Sequence, residues 1–309
     1  MINPIAVEIG PLQLHWYGII IASAVLVAGL LGTRVARWLG EDPEDGWSML
    51  LWVVVLAVIG ARIYHVIHEW ESTYAAQPWL IPQVWNGGVG IPGAVAGGAL
   101  AIWIFSRVRG LNAARWMDIY APALLLGQAI GRLGNFVNQE LYGPPVTECG
   151  SGGFPPCLPW GVQIDAAHRG DTPWFDMTAF PETTTFVPLF AYEAILNLVG
   201  MLVLLWVIRR FGPRLLAGDI ILMYIMWYGA VRTLLETYRT DNWIILGVPT
   251  AMWVGVIGFV LAGAFLIVRH RRGRGTPLIR PADEEPADAA QRPDAAAGER
   301  PAGTEASPG

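Results

Sequence analysis

The 309-residue sequence contains no lysine, only two cysteines, and charged residues that together make up only 15% of the chain. Soluble domains of ordinary composition carry about 25% charged residues, so this shortage argues against a soluble enzyme. All 20 basic residues are arginine, which we attribute to a GC-rich coding bias. The sequence has no basic face with interleaved aromatic residues, which argues against a nucleic-acid partner. Without a CxxC pair or a histidine cluster, we expect neither a metal site nor a cofactor.

Long apolar runs are what the sequence has in abundance, since 54% of its residues are hydrophobic. One helical crossing of a bilayer needs about 20 apolar residues. We therefore predict an all-α integral membrane protein with seven transmembrane helices. Many of the 15 tryptophans lie near the ends of these runs, as expected for residues at a membrane interface. The predicted spans are about 16–35, 48–67, 93–106, 116–133, 188–208, 218–235 and 249–268.

The arginines between these runs predict the orientation of the chain. Arginine clusters follow the first, third, fifth and seventh runs. Because cytoplasmic loops are enriched in positive charge, the N-terminus is expected outside and the C-terminus inside. Residues 1–14 contain no lysine or arginine, so the first run lacks the basic segment of a cleaved signal peptide and is expected to be retained.

The chain divides into a membrane domain and a tail. We assign residues 1–272 to a seven-span membrane catalytic domain, in which residues 136–187 form an extracytoplasmic loop region. That loop holds Cys149 and Cys157, and a disulfide is favoured over two free thiols because it persists outside the cytoplasm. Residues 273–309 are rich in proline, alanine and charge, and predict a disordered cytoplasmic tail.

A few charged side chains are not explained by this topology. Four arginines fall at the outer ends of even-numbered spans, where placing arginine costs up to about 2.5–3.5 kcal/mol on insertion scales. Three glutamates lie at matching depth, with two asparagines and a tyrosine nearby. Structural ion pairing between helices is the plain alternative, and we favour it for the pairing of Arg239 with Glu236. The set comprises Arg62, Arg132, Arg232, Arg239, Glu140, Glu193, Glu236, Asn135, Asn138 and Tyr228.

The segment 131–140, GRLGNFVNQE, favours a ligand site because polar groups are dense at a span end. Arginine is the preferred residue for recognising phosphate. At the outer leaflet, a phosphate most plausibly belongs to a phospholipid headgroup, so these residues predict a site for an anionic lipid without predicting a reaction. A transporter for an anionic solute and a non-catalytic lipid-binding protein are the alternatives. A transporter is expected to show internal repeats, and the two halves of this sequence show no convincing one.

The same segment resembles the signature of the prolipoprotein diacylglyceryl transferase family. Further matches occur in order along the chain, and the resemblance extends over about residues 9–272. They are LHWYG at 14–18, GAR at 60–62, WNGGVG at 85–90, YE at 192–193, and YGAVR at 228–232 with Glu236 and Arg239.

The resemblance implies a bacterial cytoplasmic membrane enzyme that moves the diacylglyceryl group of phosphatidylglycerol onto the lipobox cysteine of a prolipoprotein. A thioether forms and glycerol phosphate is released. It implies that Arg132 and Arg232 hold the phosphate and stabilise the leaving group, that Glu140 shapes the headgroup pocket, and that Tyr17 supplies a hydroxyl. Substrate-binding roles are expected for Asn135, Asn138, Arg62, Glu193, Tyr228, Glu236 and Arg239.

Two positions depart from the family pattern. Many proteobacterial members carry histidines where this chain has Pro92 and Val187. Since the thiolate is the competent nucleophile, some other group must accept the thiol proton. The sequence leaves this acceptor open among Glu140, Glu236, His65, His68 and a phosphate oxygen of the lipid itself.

Overall fold

A computed structural model describes residues 5–9, 12–150, 155–170, 172–239, 243–273 and 275–280. Seven long helices dominate it. Each predicted apolar run lies inside one of these helices or begins one residue before it, because uninterrupted apolar sequence forms helix until a capping residue ends it. The helices are α1 (Trp16–Leu39), α2 (Pro43–His68), α3 (Ile91–Arg109), α4 (Ala113–Val137), α5 (Leu189–Phe211), α6 (Asp219–Glu236) and α7 (Thr250–Arg271).

Five helical segments in the described part of the chain are long and apolar enough to cross a membrane. They are Trp16–Leu39, Pro43–His68, Ile91–Arg109, Leu189–Arg214 and Thr250–Arg271. The protein is therefore mostly helical with several candidate membrane spans. The two remaining long helices, α4 and α6, carry polar side chains such as Gln128, Arg132 and Arg232 within their length. These side chains lower the hydropathy of the helices that form the candidate site described below.

Short polar and glycine-containing turns end one helix and start the next. Gly40 and Gly110 follow α1 and α3 with φ angles of 80° and 67°, in the left-handed conformation that commonly ends helices. The side chain of Asp42 accepts the Glu44 backbone N–H at 2.9 Å and so caps α2. Asn112 caps α4 in the same way. Because these connections are so short, α1 and α2 run in opposite directions, as do α3 and α4.

The helices pack mainly in pairs, α2 with α3, α1 with α4, α4 with α5, and α6 with α7. Glycines permit the closest approaches. A Cβ added at Gly93 would lie 2.1 Å from the carbonyl oxygen of Gly60, so the α2 and α3 backbones touch there. The main core lies near the starts of α4 and α6, where Trp116, Ile119 and Ile220 are fully buried.

Three short antiparallel pairs of strands lie outside the long helices. They are formed by β1 (Ile5–Ile9) with β2 (Leu12–His15), β3 (Val162–Gln163) with β4 (Thr185–Phe186), and β5 (Ile244–Ile245) with β6 (Val248–Pro249). The pair of β3 and β4 belongs to the region between α4 and α5, which begins at residue 138 because α4 continues to Val137. This region has its own small core of Ile164, Trp174 and Phe186.

A buried arginine organises that region. Arg169 is fully buried, and its guanidinium donates to the backbone carbonyls of Ile164 at 2.8 Å and Phe180 at 2.7 Å. It also lies over the Phe186 ring, 4.8 Å from the centroid. A buried guanidinium is tolerated only where its N–H groups find acceptors, so Arg169 holds the loop around it in one conformation.

The sulfur atoms of Cys149 and Cys157 are bonded. The bridged segment is attached to the helices, since the Tyr238 hydroxyl donates to the Pro156 carbonyl at 2.8 Å and the Leu158 N–H donates to the Tyr192 hydroxyl at 3.3 Å. It therefore joins the first turn of α5 to the segment just after α6.

Replacing both cysteines with serine is expected to lower the thermal stability of the oxidised protein. Closing so short a loop contributes about 2.5 kcal/mol in the chain-entropy account. The measurement is thermal unfolding in detergent with and without reductant. Reductant should lower the wild-type midpoint to that of the double variant and leave the variant unchanged. Equal midpoints for the two oxidised proteins would contradict the prediction.

A strap of residues 275–280 ties several helices together at the end of the bundle opposite Arg132. The Leu278 side chain is fully buried, and its N–H donates to the Leu215 carbonyl at 2.9 Å. Arg280 lies 3.3 Å from Glu41, which also pairs with Arg115 of α4 at 2.6 Å. Packed structure thus continues past residue 272, where the sequence places the start of the tail. Residues 281–309, most of the predicted disordered tail, lie outside the described residues.

Ending the chain after Arg280 is expected to leave stability near wild type, whereas ending it after Gly275 should lower it. The shorter chain loses the burial of Leu278, worth about 1.5–3 kcal/mol, and leaves Glu41 without Arg280. Thermal unfolding of the two truncated proteins in the same detergent gives the comparison. Matching midpoints for the two truncations would show that the strap contributes nothing.

Candidate functional site

Arg132 lies near the end of α4 and is paired with a buried carboxylate of α5. Its guanidinium contacts Glu193 directly and donates from Nη1 to the Asn135 side-chain oxygen at 3.0 Å. The Glu193 side chain is 6% exposed, and that of Arg132 is 25% exposed. Among the described residues, the buried Nε of Arg132 has no hydrogen-bond partner. The cluster therefore presents a fixed, partly accessible guanidinium that retains a free donor.

The polar residues after Arg132 turn the chain out of α4. Asn138 donates from its side chain to Glu140 at 3.0 Å, and Glu140 is exposed. Gln139 and Leu141, on either side of Glu140, have φ angles of 53° and 59°, a conformation uncommon for residues other than glycine. Gln139 is held by its amide, which donates to the Asp165 carboxylate at 2.6 Å. This contact fixes the direction in which the chain leaves the Arg132 cluster.

Tyr17, in the first turn of α1, packs on the same stretch of α4. A Cβ added at Gly134 would lie 2.6 Å from Cδ2 of the Tyr17 ring. The absence of a side chain at Gly134 therefore allows the ring to lie against α4, two residues beyond Arg132. The sequence-predicted neighbours Tyr17, Arg132, Asn135 and Glu193 are thus brought together at one end of the bundle.

The second group lies in a cavity between α6 and α7 with a volume of about 500 Å³. Arg232 and Glu236 are one helical turn apart and form an ion pair at 3.0 Å, with the Glu236 side chain 4% exposed. The end of the cavity at Arg232 is polar, and the end at Ile225 is apolar. Its lining residues are Ile225, Tyr228, Gly229, Arg232, Glu236, Arg239, Trp243, Thr250, Ala251, Val254, Gly255 and Gly258.

Two residues that the sequence analysis missed join the α4 cluster to the cavity. Gln128 lies one turn before Arg132 on α4, and its side chain donates to the Tyr224 hydroxyl of α6 at 2.9 Å. The Tyr224 ring is stacked on that of Tyr228, with centroids 6.1 Å apart, and Tyr228 lines the cavity. One hydrogen bond therefore links the helix of Arg132 to the helix of Arg232, and a ring contact continues from it to the cavity.

A third missed residue extends the polar face of α5. Asn197 lies one turn beyond Glu193 and is completely buried. Neither its side-chain oxygen nor its nitrogen has a hydrogen-bond partner among the described residues. The spacing in the sequence could have identified these three residues. Each lies four residues from a predicted site residue and so shares its helix face, as Gln128, Asn197 and Tyr224 do.

Arg62 lies apart from both groups. Its guanidinium donates to the carbonyls of Ile81 at 2.8 Å, Gly87 at 2.7 Å and Gly88 at 2.8 Å, and further to that of Leu80 at 2.5 Å. The side chain is buried. These donors are directed at the backbone between α2 and α3, and the substrate-binding role expected from the sequence stays a prediction.

The candidate histidines lie with Arg62 and not with the other arginines. The His65 ring makes an edge contact with Tyr74, with centroids 5.9 Å apart, and would clash with a Cβ at Gly88. His68 lies near the exposed end of α2, 3.7 Å from Glu69. Of the carboxylate candidates, Glu236 lines the cavity and Glu140 lies at the end of α4.

The two positions that depart from the family pattern are structural in this chain. Pro92 is in the first turn of α3, where a missing N–H costs no helical hydrogen bond. Val187 is fully buried, and its backbone exchanges hydrogen bonds with Gly143 and Pro144 at 2.8 and 2.9 Å. Among the described residues, no group of three or more His, Cys, Asp or Glu side chains is placed to hold a metal ion.

Comparison with known proteins gives consistent matches over most of the chain. The family model described as prolipoprotein diacylglyceryl transferase matches residues 4–269. Three relatives named phosphatidylglycerol–prolipoprotein diacylglyceryl transferase are similar to this chain. That of Chloroflexus aggregans is 39% identical over 88% of this chain and 90% of its own length. Those of Leifsonia xyli subsp. xyli and Streptococcus equi subsp. zooepidemicus are 38% and 37% identical, over 86% and 88% of this chain and 77% and 97% of theirs.

Proposed function

We propose, because the chain belongs to the prolipoprotein diacylglyceryl transferase family, that it transfers the diacylglyceryl group of phosphatidylglycerol to the lipobox cysteine thiol of prolipoproteins. The observation that carries this proposal is the pair of arginines, Arg132 and Arg232, near one end of the bundle. Each is paired with a mostly buried glutamate. The transfer would be the first step of bacterial lipoprotein maturation.

We place the protein in the bacterial cytoplasmic membrane, with all seven long helices spanning it and the N-terminus outside. The alternation of arginine clusters supports this orientation, as does the strap of residues 275–280, which joins the arginine-rich end of the bundle. The site end then faces outward, together with the disulfide-bridged region between α4 and α5, and prolipoproteins reach the site after export.

In this proposal Arg132 binds the phosphate of the lipid. A guanidinium already fixed by Glu193 and Asn135 loses little freedom when it binds. The side chain is 25% exposed, so part of the guanidinium can be reached by a phosphate oxygen. Asn138 and Glu140, at the end of the same helix, are placed to contact the glycerol headgroup. Tyr17 offers its hydroxyl from the neighbouring helix.

In this proposal Arg232 contacts the lipid phosphate from α6. Tyr228, Glu236 and Arg239 surround Arg232 in the cavity. As the bond between the glycerol carbon and the phosphate oxygen breaks, negative charge grows on the departing phosphate ester. Fixed cationic donors in a water-poor site stabilise such charge far better than water does. The Gln128–Tyr224 hydrogen bond joins α4 to α6, and in this proposal the arginines of both helices contact one ligand.

The step conserves atoms and electrons without any cofactor. The sulfur of the lipobox cysteine forms a bond to the glycerol carbon, the carbon–oxygen bond breaks, and its electrons leave with glycerol phosphate. The thiol proton passes to an acceptor, for which Glu236 and Glu140 are the carboxylate candidates. Because the nucleophile belongs to the substrate, the enzyme itself needs no reactive thiol.

The direct test is mass spectrometry of a lipobox peptide incubated with the purified protein and phosphatidylglycerol in detergent. The expected result is a mass gain of one diacylglyceryl group on the cysteine. The same peptide with serine in place of cysteine should gain nothing. No gain by the folded protein, beside an active family member, would overturn the proposal in favour of a transport or lipid-binding role.

A further inference from the structure

The α4 and α5 helices face each other in an antiparallel arrangement near Arg132. The rings of Phe136 and Phe190 lie with their centroids 5.6 Å apart, and one turn further along both helices Arg132 contacts Glu193. Facing positions therefore recur about once per turn, back along α4 and forward along α5. A third level of facing positions lies about 6 Å beyond the ion pair.

Polar side chains occupy this third level, which we call the polar layer and which comprises Gln128, Asn197 and Tyr224. Gln128 of α4 donates to the Tyr224 hydroxyl of α6 at 2.9 Å. Asn197 of α5 is completely buried. The nearby Trp227 Nε1–H donates to the Leu196 carbonyl at 3.1 Å, so this donor is already used. Three helices thus each contribute a polar group to the polar layer.

Several polar atoms in and beside the polar layer are buried and have no hydrogen-bond partner among the residues that the structure describes. Gln128 Oε1 and Asn197 Oδ1 are acceptors, and Asn197 Nδ2 and Arg132 Nε are donors. Buried polar groups in proteins are nearly always hydrogen-bonded, and leaving one without a partner is costly. Because these donors and acceptors are not bonded to one another, a small ligand that both donates and accepts is needed to satisfy them.

Water is the ligand with this chemistry. It both donates and accepts, and a buried water typically bonds to about three otherwise unpaired groups. A lipid cannot reach these atoms, because each of them is shielded inside the helix bundle. A cation is excluded by the positive charge of Arg132 and by the N–H donors, which would point towards it.

We propose that Asn197 is a positioning residue that holds the Arg132 guanidinium through a water molecule bound in the polar layer. The inference rests on the proposed transferase function, in which Arg132 binds the lipid phosphate. The water accepts from Arg132 Nε and donates to the side-chain oxygens of Asn197 and Gln128. Glu193 and Asn135 hold the two terminal nitrogens of the same guanidinium. The water holds the third nitrogen, so the planar group keeps one orientation towards the phosphate.

The first test measures kcat/KM for lipobox-peptide modification in Asn197→Leu, which replaces the amide with an apolar side chain of similar size. The expected loss is about tenfold, as for one hydrogen bond to a charged group. Asn197→Ser keeps a hydroxyl at the polar layer and should remain near wild type. Ser106→Ala is the matched control, because Ser106 Oγ near the end of α3 is also buried without a partner among the described residues. Wild-type kcat/KM in folded Asn197→Leu would overturn the inference.

The Arg132→Lys background shows whether Asn197 acts through Arg132. Lysine places a methylene group where arginine has its Nε–H, so the polar layer loses this donor while the positive charge remains. Because residues that act as a unit are not additive, Asn197→Leu is expected to change kcat/KM much less in Arg132→Lys than in the wild-type protein. An equal fold loss in both backgrounds would overturn the inference and assign Asn197 to helix packing alone.

An experimental structure of the full chain in detergent, at a resolution that shows ordered water, separates this inference from the proposed function. The expected result is a water peak within hydrogen-bond distance of Asn197 Oδ1 and Arg132 Nε, which is lost in Asn197→Leu. A wild-type polar layer without such a peak would contradict the inference even if transfer is observed. Absence of transfer by a wild-type protein that shows the peak would instead refute the proposed function.

Discussion

Replacing Arg132 with alanine is expected to lower kcat/KM for diacylglyceryl transfer about 100- to 1,000-fold, the usual effect of removing one donor that stabilises developing negative charge. The change removes the guanidinium that is fixed by Glu193 and Asn135 and carries the donor without a partner. The measurement is initial-rate mass spectrometry of a lipobox peptide with phosphatidylglycerol.

The same substitution also leaves Glu193 buried without its partner, which costs about 3–5 kcal/mol when the pair is buried. Arg132→Ala combined with Glu193→Gln removes that unpaired charge. We expect the double variant to recover stability without recovering transfer. Arg109→Ala is the matched control, because Arg109 forms an ion pair with Asp45 at 3.1 Å at the other end of the bundle. Wild-type turnover in the double variant would exclude a phosphate-binding role for Arg132.

The helices and the main polar groups were predictable from the sequence for simple physical reasons. Apolar runs bounded by glycine, proline and arginine have few alternatives to helix, and all seven runs coincide with long helices. The pairing of Arg232 with Glu236 follows from four-residue spacing on one helix face. Helices and pairs within one helix can therefore be predicted without knowing which helices are neighbours.

Contacts between distant parts of the chain could not be predicted from apolar runs or from spacing within one helix. The sequence predicts Arg132 as a site residue, but its pairing with Glu193 depends on the packing of α4 against α5. The contact of Gln128 with Tyr224 likewise joins helices that are far apart in sequence. The strap of residues 275–280 was assigned to a disordered tail because residues 273–309 as a whole are rich in proline, alanine and charge. Composition over so long a stretch does not show that Leu278 finds a buried position.

Replacing Arg62 with alanine is expected to destabilise the protein strongly. Four backbone carbonyls between residues 80 and 88 would lose a charged donor, and each hydrogen bond to a charged group contributes about 1.5–3 kcal/mol. Lysine should not restore stability, because one ammonium cannot reproduce the planar fork of a guanidinium. Thermal unfolding of Arg62→Ala and Arg62→Lys gives the size of the effect.

Hydrogen exchange distinguishes this role from phosphate binding. If Arg62 orders the connection between α2 and α3, Arg62→Lys should speed exchange at the Gly87 and Gly90 amides, which donate to Val84 and Ala61 in the wild-type protein. The KM for phosphatidylglycerol should then change little in the variant that remains folded. Arg37→Lys, an exposed arginine of α1, controls for the substitution itself. A raised KM with unchanged exchange would instead place Arg62 on the lipid, because only a direct contact weakens binding while leaving the loop intact.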